Sequence, residues 1–134
     1  MKNILVTGAN GDIGEAVGRI LIEEFPNTRI TGSDSNGKLP GAFTFPRMIK
    51  VPYASDLNYE KKIKNMMGLY DLIIPTSEPE IRKISSLNIK GWEKSFLILP
   101  SLLVEKFLDK YETFRFLKLK NFNPPDTKLL NEVK

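Results

Sequence analysis

The sequence predicts an α/β protein built on a doubly wound, all-parallel sheet of five strands in the order 3-2-1-4-5. Three observations lead there. Short apolar runs alternate with amphipathic stretches along 134 residues, the pattern of repeated strand–helix–strand crossovers. The first run passes straight into a glycine-rich turn that opens a helix. The run Asp71-Leu72-Ile73-Ile74-Pro75 is apolar without alternation, as in a parallel strand covered on both faces. Right-handed crossovers then favour the Rossmann-like strand order.

Each element has its own signal. Ile4-Leu5-Val6 forms a buried first strand, followed by Gly8-Ala9-Asn10-Gly11. Ile13, Val17, Ile20 and Leu21 recur at helical spacing, with Glu15, Arg19 and Glu23 on the opposite face. Phe25-Pro26-Asn27 stops that helix, because proline cannot continue it. Thr28 to Ser33 forms the second strand and ends at Asp34. The stretch 35–47, with Gly37-Lys38-Leu39-Pro40-Gly41 and Pro46, reads as an irregular loop before a short third strand from Met48 to Val51.

Asn58 to Leu69 follows as a lysine-rich helix with Ile63, Met66 and Met67 inward, and Asp71–Pro75 is the fourth strand. Ser77-Glu78-Pro79-Glu80 opens a helix running through Ile81, Ile84 and Leu87, and Ser95 to Leu99 supplies the fifth strand. Leu103, Phe107, Tyr111 and Phe114 share a face of a final helical segment with a break near Asp109-Lys110. Asn121 to Thr127, with Pro124-Pro125, reads as a linker. The expected organisation is one domain over 1–120, with 121–134 leading into a further domain.

Composition limits the chemistry. With 41% apolar and 27% charged residues the chain is an ordinary folded one. It has no cysteine and no histidine, which removes disulfides, thiolate nucleophiles and the commonest general base and metal ligand. No apolar run approaches the roughly 20 residues of a membrane span, and the first residues lack signal-peptide architecture. A cytoplasmic location is therefore expected. Residues 1–81 carry nine Lys/Arg against ten Asp/Glu, and 82–134 carry eleven against six. The aromatics of the basic part, Phe107, Phe114 and Phe116, are spaced for a packed face rather than for stacking bases, so no nucleic-acid partner is expected.

The turn Gly8-Ala9-Asn10-Gly11-Asp12-Ile13-Gly14 carries the first functional signal. Gly8 permits the tight turn, Gly11 lets a ligand approach backbone, and Gly14 lets the helix pack close to the sheet. Unpaired amides at the helix start attract phosphate or carboxylate, and Asp34 stands where dinucleotide-binding folds hold a ribose hydroxyl. Three readings stay open on the loop alone: NAD(P), in the manner of extended short-chain dehydrogenases; a different anion; or a purely structural turn.

Those dehydrogenases use a tyrosine with a lysine four positions later, which lowers the phenol pKa. Here Tyr53, Tyr59, Tyr70 and Tyr111 are followed at that spacing by Leu57, Ile63, Ile74 and Arg115. Hydride-transfer chemistry is thus not expected. At the end of the fourth strand, Thr76, Ser77 and Glu80 place polar groups beside the glycine loop, in the crevice where open α/β sheets bind ligands. Ser77 and Glu80 also have capping-box spacing and could be spent on helix amides.

With Phe107-Leu108-Asp109-Lys110-Tyr111-Glu112-Thr113-Phe114-Arg115-Phe116-Leu117 and Pro125-Asp126-Thr127 added, residues 1 to about 127 resemble the amino-terminal pre-ATP-grasp domain of carbamoyl-phosphate-synthetase-like ATP-grasp ligases. That resemblance implies the substrate side of an enzyme that uses ATP and magnesium to phosphorylate a carboxylate or bicarbonate, which an amine or ammonia then attacks. It implies substrate-binding roles for Gly8, Asn10, Gly11, Asp34, Thr76, Ser77 and Glu80, and nucleotide contact by Lys110. The implied partners are an ATP-grasp domain and a small carboxylate or amine. No catalytic residue, no metal ligand and no tightly bound cofactor are expected on this chain alone. The lead-in Lys118-Leu119-Lys120-Asn121 lacks the family's glycine, which leaves the turn before Pro124 undefined, although asparagine can adopt positive φ. The alternatives are a truncated NAD(P)-binding domain of a dehydrogenase or epimerase, and a non-enzymatic binding module.

Overall fold

Apolar runs with little polar interruption need cover on both faces, and the chain supplies it with helices on either side of a parallel sheet. The computed structural model describes residues 2–37, 41–87, 91 and 94–133; Lys38, Leu39 and Pro40 of the expected loop lie outside them. Two compact units are present, Met1–Ile98 and Leu99–Lys134.

In the first unit β1 (Asn3–Thr7), β2 (Arg29–Asp34), β3 (Met48–Lys50) and β4 (Leu72–Pro75) pair in parallel in the order β3-β2-β1-β4. The register sets Thr7 beside Ser33 and Pro75. α1 (Asp12–Glu24) and α2 (Tyr59–Met67) are crossovers, α3 (Glu78–Ser86) follows β4, and a 3-10 turn, Gly41–Phe43, interrupts the loop before β3. Alternation along β1 splits the core. Leu5 faces Tyr59, Ile63, Met66, Ile73 and Ile84, whereas Ile4, Val6 and Ala9 pack with Ile30, Phe45, Val17 and Leu21.

Two expectations are corrected here. The sheet has four strands, not five. The stretch around Phe96 makes only a parallel bridge to Ile73, whose N–H donates to the Ser95 carbonyl at 2.7 Å and whose carbonyl accepts from Leu97 N–H at 2.9 Å. Pro75, two residues on along the same edge of β4, has no N–H to continue that ladder. In α1, the inward face is Gly14, Gly18, Val17, Leu21 and Ile22, while Ile13 and Ile20 are 66% and 58% exposed. The two glycines are the reason. Gly18 lies against the Phe45 ring, where a Cβ would overlap it, so the helix turns its small stripe, not Ile13 and Ile20, to the sheet.

The second unit is a helix pair, α4 (Ser101–Leu108) and α5 (Lys110–Leu119). The break expected near Asp109 is a cap: the Asp109 carboxylate accepts from Tyr111 N–H at 2.8 Å and Glu112 N–H at 2.9 Å. The chain turns there, so the aromatics do not form one continuous face. Phe107 instead meets Phe116 edge-on at 5.6 Å, and Tyr111 stacks on Phe114 at 6.2 Å. α5 ends in a Schellman motif, with Phe122 N–H donating to Leu117 O and Asn121 N–H to Lys118 O. Asn121 has φ 61°, so asparagine takes the left-handed place that the sequence leaves without glycine.

Candidate functional site

The carboxyl ends of β1, β2 and β4 converge on the glycine turn. Gly8 has φ +67°, and a Cβ there would sit 3.0 Å from both Ser77 Cβ and Thr76 Oγ1. The β1–α1 and β4–α3 connections therefore touch at this residue, and only glycine fits. The Thr76 hydroxyl donates to the Thr7 carbonyl at 2.6 Å, tying the two connections together. Gly14 packs onto the turn so closely that a Cβ would drive into the Gly8 carbonyl and lie 2.9 Å from Ala9 Cα.

Much of the turn's hydrogen-bonding capacity is used internally. Gly11 N–H donates to Gly8 O at 3.0 Å. Asn10 N–H donates to Asp34 Oδ2 at 3.1 Å, and Asp34 Oδ1 accepts from Asn36 N–H at 3.0 Å. Asn10 Oδ1 accepts from Gly41 N–H at 2.8 Å, pinning the loop before β3, while its Nδ2 is buried without a partner. Gly11 caps α1 with no side-chain bond.

Beneath the turn lies a buried polar nest. The Glu80 carboxylate, 6% exposed, accepts three hydroxyl hydrogen bonds: Thr7 at 2.9 Å and Ser77 at 2.6 Å on Oε2, and Tyr59 at 2.9 Å on Oε1. Burial, followed by the Glu80 charge and its hydrogen bond, holds the Tyr59 phenol far above its ordinary value of 10.0. Ser33, beside Thr7 in register, is fully buried with its hydroxyl unpartnered. The capping-box alternative does not hold. Ser77 occupies the N-cap position of α3, but its hydroxyl donates to the Glu80 side chain and makes no cap bond.

Gly8, Asp34, Ser77 and Glu80 line a crevice of about 220 Å³, with Ser35 and Tyr53 on its other wall. The Tyr53 hydroxyl donates to Asn36 Oδ1 at 3.0 Å. Asn10, Gly11 and Thr76 do not line it; they brace the turn behind it. Lys110 belongs to the second unit, where it is the exposed first residue of α5.

Sequence reasoning missed Thr7, Ser33, Tyr59 and Tyr53. Two of these carried a usable signal: Thr7 is two residues beyond Leu5 on the same strand face, and Tyr59 is four before Ile63 on the same helix face. Among the described residues no group of three or more His, Cys, Asp or Glu converges as a metal site, and no helix is long and apolar enough to cross a membrane.

No protein-family model and no curated protein matches the chain. Solved structures do match its fold. N5-carboxyaminoimidazole ribonucleotide synthetase from Thermotoga maritima matches over 99% of this chain and 34% of its own, with TM-score 0.69 and 18% identity. The N5-carboxyaminoimidazole synthetase from Staphylococcus aureus matches over 88% and 29%, with TM-score 0.60 and 13% identity. Glycinamide-RNase-transformylase T from Mycobacterium tuberculosis matches over 90% and 35%, with TM-score 0.63 and 7% identity. The chain thus spans about a third of the length of these proteins. At 7 to 18% identity these likenesses show a shared fold.

Proposed function

We propose that this chain is the substrate-side, pre-ATP-grasp domain of a cytoplasmic ATP-dependent carboxylate–amine or carboxylate–ammonia ligase, of the carbamoyl-phosphate-synthetase-like kind. Residues 1–120 form that domain in this reading, and 121–134 lead toward an ATP-grasp domain. The observation that carries it is the fold match over 99% of the chain to a synthetase three times as long, together with a crevice at the strand ends where such sheets take ligands. In this reading Gly8, Asp34, Ser77 and Glu80 contact a small carboxylate or amine substrate. Asn10, Gly11 and Thr76 hold the turn that shapes the crevice, and Lys110 reaches nucleotide.

The described residues offer no converging acidic set for magnesium. In this reading triphosphate and metal chemistry belongs to the ATP-grasp domain, and the residues of this chain bind and orient. Glu80, fixed by three hydroxyls, is the principal orienting group: a carboxylate presented to an amine or hydroxyl donor.

The test is turnover by the complete enzyme, this chain together with its ATP-grasp domain. ADP formation should require both a carboxylate or bicarbonate and an amine or ammonia, and Glu80→Gln should lower kcat/KM by roughly a hundredfold, the scale of losing a charge-assisted contact at a reacting group. Micromolar binding of NAD(H) or NADP(H) by the chain, with no substrate-dependent ADP formation, would overturn the proposal.

A further inference from the structure

The amino ends of the strands, away from the glycine turn, gather a second set of polar groups. In a parallel sheet register partners share a face, and so do residues two apart on one strand. Asn3 is the register partner of Arg29. Met48 is the partner of Gly32, which sets Arg47 beside Thr31, and the Gly32 N–H donates to the Arg47 carbonyl at 2.9 Å. Arg29 and Arg47 therefore stand on one face of neighbouring strands, the face that Leu5 turns toward α2.

Past the end of α2 at Met67, Leu69 and Tyr70 join the two arginines around a pocket of about 560 Å³, within the range of small-molecule sites. Its lining contains no carboxylate. Among the described residues neither Arg29 nor Arg47 has a carboxylate partner. Asp71, next in the chain after Tyr70, does not line the pocket, and its carboxylate accepts the Asn3 N–H at 2.7 Å. Two guanidinium forks without a carboxylate suit an external oxyanion, and a phosphate has oxygens enough for both, where a single carboxylate serves one. Asn3 and Thr28 add neutral donors to the same wall.

The rest of the lining is apolar or aromatic: Ile30, Pro46, Leu69 and Tyr70. Tyr70 is half-buried and packs against the core around Leu5, which holds its ring as a fixed platform for a flat group. Leu69, 68% exposed, leaves apolar surface open beside the two cations. The pocket thus pairs an anion-binding wall with an apolar one.

We propose that this pocket is a second ligand site, for a phosphate monoester carried on a flat apolar ring, with the phosphate between Arg29 and Arg47 and the ring against Tyr70 and Leu69. It lies at the other end of the strands from the crevice of Gly8, Asp34, Ser77 and Glu80. It goes beyond the ligase reading and does not rest on it, so either can fail alone.

The 134-residue chain is titrated with phenyl phosphate, with inorganic phosphate and with benzoate, following backbone amide shifts by NMR. Phenyl phosphate should move amides around 28–31, 47 and 69–70 saturably, and leave those around 34–35 and 77–80 in place. Inorganic phosphate lacks the ring and benzoate carries a single charge; each should bind at least about tenfold more weakly. Arg29→Gln and Arg47→Gln, both at exposed positions, should each lower phenyl phosphate affinity about tenfold and leave the urea midpoint unchanged. The site is overturned if phenyl phosphate gives no saturable shift or if its shifts gather at 34–35 and 77–80. It is equally overturned if inorganic phosphate or benzoate binds as tightly, or if either arginine variant keeps the wild-type affinity.

Discussion

Replacing Tyr59 by phenylalanine removes one oxygen and leaves the packing intact. The ring is fully buried among Leu5, Ile63, Ile73 and Ile84, so Tyr59→Phe opens no cavity there. What is lost is the 2.9 Å hydrogen bond to Glu80 Oε1, in a place where water is a poor substitute. A bond from a neutral donor to a charged acceptor contributes about 1.5–3 kcal/mol, so about 2 kcal/mol of stability should go. With a urea m-value near 2 kcal/mol/M, typical of small domains, the midpoint falls by about 1 M with m unchanged.

The pH dependence adds a sharper criterion. The phenol's folded pKa is raised above its unfolded value of 10.0, so the native state holds the proton more tightly. The stability gained this way is complete below pH 10 and declines above it, by about 1.4 kcal/mol per pH unit. Urea titrations of the wild type and Tyr59→Phe between pH 7 and 11 should show a constant gap up to about pH 9.5 and a shrinking one beyond. A gap under about 0.5 kcal/mol at pH 7, or one that stays constant to pH 11, would refute the account of the nest.

Other substitutions test other parts of the framework. Gly14→Ala pushes a methyl group into the Gly8 carbonyl and should cost about 1–3 kcal/mol by overpacking, read as a lower melting temperature. Asp109→Ala removes the acceptor for two first-turn amides of α5; the helix should lose about 1 kcal/mol, visible as faster hydrogen exchange at Tyr111 and Glu112. Asn121→Gly relieves the left-handed backbone at φ 61° and should stabilise α5 by several tenths of a kcal/mol, whereas Asn121→Val should destabilise it, both measured by denaturant midpoint.

The strands and helices were legible because their signals are local. Ile4-Leu5-Val6, the Pro26 stop and the Asp109 break each declare themselves within a few residues. The fifth strand was misjudged because its fate depends on a neighbour. Ser95–Leu99 has strand composition, but the edge it must extend carries Pro75, and that pairing is set by register rather than by either segment. The face of α1 was misjudged for a related reason. Hydrophobic periodicity weights Ile13 and Ile20, whereas close packing on Phe45 and the Gly8 turn selects Gly14 and Gly18. At the site, Gly8, Asp34, Ser77 and Glu80 could be read from their places at strand ends. Thr7 and Tyr59 could be placed on inward faces by their spacing from Leu5 and Ile63, but nothing local tied them to the carboxylate they meet across 73 and 21 residues of chain.

That carboxylate also shows how the fold fixes the geometry of the crevice before anything enters it. Two carboxylate oxygens offer about four acceptor directions. Thr7 and Ser77 take two on Oε2 and Tyr59 takes one on Oε1, so the direction that stays open is on Oε1. Thr7 comes from β1, Tyr59 from α2 and Ser77 from the start of α3; a rotation of Glu80 would break bonds to three separate elements. The cost of ordering this side chain is therefore met during folding, not on binding. Under the role proposed for Glu80, a ligand donor would meet an acceptor already aimed, and would supply the carboxylate's last hydrogen bond.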